Sequence, residues 1–224
     1  MSAPTTSLST YLGTLRRYLH DPNDQYFSQA DKTAYLNQGI QQRDLDTGGN
    51  RSLFTFVTTA GVDNYTFDQL SGSSSNTIVD VVAINLLYNS LRVVLDQLSF
   101  TMLNARVRTY SPPFQFAPCG WSRYGSNTVY LAPAPSLAYS IEVDAVIVAP
   151  PTTLTALTDT DPLLYPYTDP VPYYAAYLAK LNERQYDEAD DFKNKYDMAC
   201  LKAAAGRVGL LPTAYPTSLV GRSP

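Results

Sequence analysis

Helical patterns at both ends of the chain flank a long middle part with strand patterns, and this order limits the possible folds more than any other feature. Apolar residues recur at helical spacing in residues 7–20 and 28–48, and again in residues 170–205. Residues 51–155 carry β-branched and aromatic runs separated by turn residues. We therefore predict an α+β fold, with an α-helical bundle built from both chain ends and an inserted antiparallel β-rich domain.

This order divides the chain into four predicted segments. Residues 1–50 supply the N-terminal helices of the bundle, and residues 51–155 form the β-rich insertion with one helix of its own. Residues 156–205 supply the C-terminal helices, and residues 206–224 form an extended arm. The helix of the insertion is predicted from four apolar residues that share one helix face: Leu95, Leu98, Met102 and Ala105.

The predicted arm has too many glycines and prolines for a helix or a central strand. It nevertheless keeps apolar residues, whereas disordered tails are usually poor in them. The apolar anchors that we predict in the arm are Leu210, Leu211, Tyr215 and Leu219. This combination favours a segment that becomes ordered on another subunit.

The composition is that of a protein with large contact surfaces. Only 16% of the residues are charged, compared with about 25% in typical globular domains. The chain contains 18 tyrosines, a residue type that is enriched at interfaces. The net charge of −4 argues against electrostatic binding of nucleic acid, because such proteins concentrate lysine and arginine.

Targeting and cysteine signals are weak. No run approaches the ~20 apolar residues that span a bilayer, and the first residues lack the basic and apolar regions of a signal peptide. We therefore expect synthesis in the cytoplasm and no membrane partner. Cys119 and Cys200 do not make a disulfide framework, and we expect both to be reduced structural thiols.

Residues that could carry chemistry are few. His20 is the only histidine and stands at the predicted end of the first helix, where we expect a capping role. Asp159, Asp161 and Asp169 could bind a hard cation, but they lack the spacing of a known calcium loop and favour a structural loop. No phosphate-binding, nucleophile or zinc motif is present. We predict no enzyme activity, no metal and no cofactor.

Two groups of charged residues have competing interpretations. Arg106 and Arg108 near Tyr110, and Arg123 beside Tyr124, resemble the basic and aromatic pairs that hold single strands, but their scatter favours surface contacts. An acidic run is expected to mark the break between the last two helices: Asp187, Glu188, Asp190 and Asp191. The run is interpreted first as a helix start, where negative charge is favourable. The alternative interpretation is a patch that repels passing DNA.

Several segments together resemble a known family. Residues 35–44 (YLNQGIQQRD) lie in a predicted helix, and residues 54–67 (FTFVTTAGVDNYTF) form a strand, turn and strand. Further matching segments are residues 129–135 (VYLAPAP), 149–155 (APPTTLT), 161–165 (DPLLY), 173–178 (YYAAYL) and 187–196 (DEADDFKNKY). Their order and spacing, over roughly residues 28–204, resemble the head-to-tail adaptor proteins of tailed bacteriophages, with the T7-type tubular adaptor nearest in layout.

The resemblance implies a structural virion protein in the neck between capsid and tail. It implies a dodecameric ring that docks under the portal protein, receives the tail nozzle or tail tube protein, and surrounds passing genomic DNA without reading its sequence. It also implies that the C-terminal arm binds the portal, which fits the anchors predicted from the residues.

Two alternatives remain open from the sequence. One is a neighbouring tail-completion or stopper ring of the same particle. The other is a carbohydrate-binding β module, because Trp121, Tyr124 and Tyr130 could stack on sugars.

Overall fold

The computed structural model describes residues 5–72, 77–88, 91–105, 117–150 and 152–208. The chain divides into two compact units. The helical unit contains Met1–Gly39 and Ala156–Pro224, and the β unit contains Ile40–Thr155. The fold is α+β, with helices and antiparallel sheets, as the sequence predicted.

The helical unit is built from segments near both ends of the chain. Its strands β1 and β10 pair in an antiparallel two-stranded sheet. Its elements are β1 (Thr5–Ser7), α1 (Leu8–Tyr18), the first part of α2 (Gln29–Thr47), β10 (Thr160–Leu164), α5 (Pro170–Asn182) and α6 (Tyr186–Val208).

Packing in this unit follows the apolar stripes. The side chain of Ser7 caps α1 by accepting a hydrogen bond from the Thr10 backbone, and α1 contacts α5. The Tyr11 hydroxyl, buried by this packing, donates to Asp161 at 2.7 Å. The residues that α1 buries are Leu8, Tyr11, Leu12 and Leu15.

The β unit contains two four-stranded sheets, in the orders β2-β9-β4-β5 and β3-β8-β7-β6. Its elements are the end of α2, β2 (Arg51–Val57), β3 (Asn64–Thr66), α3 (Phe67–Ser71), β4 (Thr77–Tyr88), β5 (Leu91–Val94), β6 (Asp96–Gln97), α4 (Phe100–Leu103), β7 (Gly120–Tyr124), β8 (Thr128–Ala132) and β9 (Ser140–Val148). All of the strand pairs are antiparallel except β6 with β7.

Both sheets contribute to a single core. Ile84, Val143 and Ile141 come from the first sheet, and Trp121 and Val129 come from the second; all five are fully or almost fully buried in one cluster. Burial of aromatic and β-branched residues on the inner faces of two sheets is typical of a β-sandwich and stabilises both sheets together.

The C-terminal end of α2 is fixed to this unit by a buried polar group. Asp44 has no exposed surface, and its carboxylate accepts hydrogen bonds from Arg43 at 2.8 Å, from Asn50 at 2.9 Å and from the Ala149 backbone at 3.1 Å. A buried carboxylate with several donors stays satisfied, so it can join three segments of the chain.

The helix predicted from Leu95 to Ala105 is largely wrong. Leu95 continues the extended chain and donates to the Ile84 carbonyl at 2.9 Å, and Asp96–Gln97 pairs with β7. The helix α4 begins only at Phe100, where Ser99 caps it. Pairing with two neighbouring strands outweighs the apolar spacing that indicated a helix.

The predicted break between the last helices also lies elsewhere. It falls at residues 183–185, where Arg184 has a φ of 61°, and the acidic run follows it within the first turns of α6. Negative charge stabilises the start of a helix and does not interrupt one. The helix also includes Gly206 and ends at Val208, so its last turn occupies the first residues of the predicted arm.

Candidate assembly surfaces

The last helix presents apolar residues on more than one side. Ala189, Tyr196 and Ala203 are buried at seven-residue spacing, and the ring of Tyr196 lies 5.0 Å from that of Tyr174 on α5. Met198 and Leu201 are 67% and 65% exposed. A helix at the surface of an isolated domain usually keeps its outer face polar. Met198 and Leu201 therefore form a candidate contact surface that the sequence reasoning missed.

An open groove of about 600 Å³ lies beside Met198. The ring of Tyr173 in its wall stacks on Tyr18 of α1, with centroids 5.3 Å apart and planes inclined by 8°. Burial and, to a smaller extent, a hydrogen bond with Tyr173 raise the pKa of Tyr18 to about 12, so the Tyr18 hydroxyl is neutral near pH 7. The groove is lined by Asp169, Tyr173, Asn194, Lys195, Met198, Ala199 and Lys202.

The acidic run forms an exposed patch at the start of α6. Glu188 pairs with Lys180 at 3.0 Å, and Asp191 pairs with Lys195 at 2.5 Å. Burial by itself lowers the pKa of Lys180, but its hydrogen bonds to Glu188 and Glu183 outweigh this effect and raise that pKa. Within the described ranges, Asp187 and Asp190 have no cationic partner, so they keep the patch negative.

The aromatic residues proposed as a sugar platform are separated by the fold. Trp121 is only 1% exposed and belongs to the core of the β unit, so it cannot stack on a sugar. Tyr124 is 52% exposed and packs with Tyr130 and Phe100, at centroid distances of 5.8 Å and 4.5 Å. What remains is one exposed tyrosine beside its packing partners.

Arg123 is engaged within the β unit. Its guanidinium lies 2.5 Å from Asp80 and also donates to the carbonyls of Gly125 and Ser126. Its charge also lies over the ring of Phe67, 5.6 Å from the centroid. These contacts favour the surface interpretation over binding of a nucleic-acid strand. Arg106, Arg108 and Tyr110 lie outside the described residues.

The three aspartates of the predicted acidic loop serve different parts of the helical unit. The carbonyl of Asp159 accepts from the Leu8 backbone at 2.9 Å, and Asp161 accepts from Tyr11 and from the Leu163 backbone. Asp169 stands at the start of α5. In the part of the chain that the structure describes, no group of His, Cys, Asp and Glu is placed to hold a metal ion.

His20 follows the last turn of α1 in a left-handed conformation with a φ of 53°, which fits the predicted capping position. The segment after it contains an ion cluster that the sequence reasoning missed. Lys32 has no exposed surface and donates to Asp21 at 2.9 Å and to Asp24 at 2.7 Å. Arg16 pairs with Asp24 from the other side. The cluster therefore joins the end of α1, the loop and α2.

This cluster shifts the pKa values of both carboxyl groups. Burial by itself raises the pKa of Asp21, but hydrogen bonds from Lys32 and from the backbones of Gln25 and Phe27 lower it to about 2. Hydrogen bonds from Arg16 and Lys32 lower the pKa of Asp24 well below its usual range. Both carboxylates are therefore charged across the physiological range and act as fixed counter-ions.

The anchors predicted in the arm cannot be placed. Leu210, Leu211, Tyr215 and Leu219 lie outside the described residues, and α6 is described as far as Val208. Cys119 and Cys200 form no disulfide among the described residues. No helix in the described part of the chain has the length and apolar character that crossing a membrane requires.

Comparison with known proteins identifies a family. The family model of the SU10 adaptor protein matches residues 6–215. The matched range covers both units and α6, and it includes Leu210, Leu211 and Tyr215 of the predicted arm but ends before Leu219. No curated protein matches the chain.

Proposed function

The chain belongs to the SU10 adaptor protein family, which makes it a structural adaptor of bacteriophage particles, and we propose that it forms the ring between head and tail. The ring would be dodecameric, similar in layout to the T7-type tubular adaptor. It would dock under the portal protein, receive the tail nozzle or tail tube protein, and line the DNA channel in the virion neck. The family match over residues 6–215 carries this proposal.

The exposed apolar residues support an assembling subunit. Met198 on α6 lines an open groove, Leu201 is exposed on the same helix, and the edge strands of the β unit expose further aliphatic side chains. Exposed apolar patches of this kind mark contact sites in soluble proteins. A subunit that contacts its neighbours, the portal and the tail needs several such surfaces.

The residues after α6 are proposed to bind the portal. Since α6 ends at Val208, the segment of residues 209–224 begins where the described fold stops. Its anchors Leu210, Leu211 and Tyr215 are apolar, and full burial of each would contribute about 1.5–3 kcal/mol. Repetition around a ring makes attachment depend steeply on each anchor, because neighbouring contacts raise the effective concentration.

The acidic patch at the start of α6 is proposed to face the DNA channel. Asp187 and Asp190 keep negative charge that no described lysine or arginine neutralises. A negative wall repels phosphate groups, so DNA could pass without being held. This role is structural and requires no catalytic step.

Removal of the segment after Val208 tests the proposal. We expect a chain that ends at Val208 to keep the circular dichroism spectrum and melting temperature of the full chain, and to lose binding to purified cognate portal rings. A full-length chain with Leu210, Leu211 and Tyr215 replaced by serine keeps the length of the arm but lacks its anchors. We expect this variant to lose portal binding as well. Normal portal binding by the shortened chain would contradict the proposal that the arm binds the portal. Failure of the full chain to bind portal rings would contradict the adaptor function.

A further inference from the structure

The first sheet of the β unit ends in two edge strands, β2 and β5, which run in opposite directions. Each neighbouring pair in the order β2-β9-β4-β5 is antiparallel. Four strands that alternate in direction leave the two edges antiparallel to each other. A second copy placed beside the first in the same orientation would therefore present its β2 to β5 as an antiparallel partner, which is the more stable ladder.

Among the residues that the structure describes, the strand β5 lacks the usual protection of an edge. All four of its residues are exposed, and Leu91, Val93 and Val94 have exposed fractions of 66%, 48% and 68%. Edge strands of monomeric proteins are normally blocked by unpaired charges, proline or bulges. The only charge in β5 is that of Arg92, and Glu142 of its own sheet neutralises it at 2.6 Å.

The strand β2 has the same properties on the opposite edge. Leu53 and Val57 are 59% and 56% exposed on its outer face. Its one charged residue, Arg51, pairs with Asp144 of the neighbouring strand β9. In the described part of the chain, both edges thus expose aliphatic side chains, carry no unpaired charge and are bordered by backbone groups that face away from the sheet.

We propose that β5 of one copy pairs with β2 of the next copy, so that the sheet continues from subunit to subunit around the ring. This inference rests on the proposed adaptor function and names the lateral contact. A second copy is the occupant that fits both edges, because the two edges lie on one chain, match in direction and carry no repelling charge. A row of copies paired in this way keeps one unpaired β2 at one end and one unpaired β5 at the other. Further copies can therefore be added until the row closes into a ring.

A charge exchange tests the pairing of unlike edges. Through the register of the sheet, Val57 lines up with Arg92 on β5, and Val94 stands two residues further on, so Val57 and Val94 project from the same face. We expect Val94→Lys alone and Val57→Glu alone to reduce ring formation roughly tenfold or more, because each buries an unpaired charge. The double variant should recover, since lysine and glutamate then lie on the same face of every contact.

The measurement is mass photometry of the full-length chain, alone and with cognate portal rings, with circular dichroism as the check on folding. Leu45→Lys, at a 49% exposed site on α2, is the matched control and should assemble normally. Loss with each single variant and recovery with both together would support the proposal. Rings that tolerate Val94→Lys would overturn it and leave the adaptor function standing. Loss without recovery in the double variant would also overturn it.

Hydrogen exchange on the wild-type chain gives a second readout that needs no substitution. We expect the outward amides of β2 and β5 to gain protection when rings form, and the central strands β4 and β9 to be protected in both states. Unchanged exchange at both edges in assembled rings would overturn the pairing. A wild-type chain that forms rings neither alone nor on the portal would overturn the pairing and the proposed function together.

Discussion

Gly39 of α2 lies so close to Val171 of α5 that a β-carbon on Gly39 would stand 2.9 Å from the Val171 carbonyl oxygen. The nearest neighbour is backbone, which cannot move aside as a flexible side chain can. The absence of a side chain at Gly39 therefore sets the distance between the two helices, although glycine is a poor residue for a helix interior.

Two glycine-to-alanine exchanges separate the effect of the close helix contact from the effect of helix propensity. Gly39→Ala should lower the free energy of unfolding, because α2 and α5 must move apart. Gly13→Ala on α1 is the matched control, because nothing lies within 4 Å of its added carbon. We expect this variant to raise the free energy of unfolding by about 0.5–1 kcal/mol. Urea denaturation of both variants measures the difference. A gain at Gly39 equal to that at Gly13 would contradict the close contact.

The sequence predicted those elements in which the pattern of apolar residues agrees with the packing in the fold. The β-branched and aromatic runs of residues 51–155 predicted a β-rich part of the chain, and β4 and β8 lie within it. The helical spacing in residues 170–205 likewise predicted the terminal helices, in which Phe192 contacts Tyr18 and Tyr196 contacts Tyr174.

Features that depend on contacts distant in sequence could not be predicted in this way. Nothing in the sequence marks Lys32 as buried, because only the loop after α1 brings Asp21 and Asp24 to it. Leu95 was assigned to a helix because its strand partners lie 11 or more residues away in sequence. The exposure of Val94 and Leu201 is also a tertiary property, because an apolar residue in a sequence reads first as core.

Tyr196 should contribute more to the stability of the fold than Tyr186, which lies on the same helix α6. It has no exposed surface, so Tyr196→Ala should lower the free energy of unfolding by about 3–5 kcal/mol. Tyr186→Ala is the matched control on the same helix; its side chain is 61% exposed, and we expect a change within about 0.5 kcal/mol. Thermal melts of the two variants give the comparison, and equal shifts would mean that the burial of Tyr196 contributes little.

Acid should weaken the helical unit through Asp21. The pKa of this carboxyl is about 2 in the folded chain and about 3.9 when unfolded, so its contribution to stability is complete above about pH 4 and is lost as the pH falls towards 2. Asp24 acts in the same direction. Asp21→Asn should lower stability at neutral pH and flatten the stability profile between pH 4 and pH 2. Urea titrations across this window measure the slope, and an unchanged slope would refute the assignment.

The acidic patch gives the last prediction, because it separates a role in helix stability from a role towards DNA. Asp187→Lys together with Asp190→Lys reverses the charge of the patch. Asp68→Lys on α3 is the control, since Asp68 also stands exposed in the first turn of a helix, but in the β unit. Loss of the favourable first-turn charge at Asp187 or at Asp68 should cost about 0.3–1 kcal/mol, measured by thermal melting.

Only the variant at Asp187 and Asp190 should also affect DNA. Lysines on a channel wall would bind phosphate groups, so phage particles that carry this variant should eject their genome more slowly, and low salt should enlarge the delay. Particles that carry Asp68→Lys should eject at the normal rate. The measurement is the ejection rate followed by a DNA-binding dye at two salt concentrations. Equal rates for both variants and the wild type would show that the patch serves the start of α6 alone.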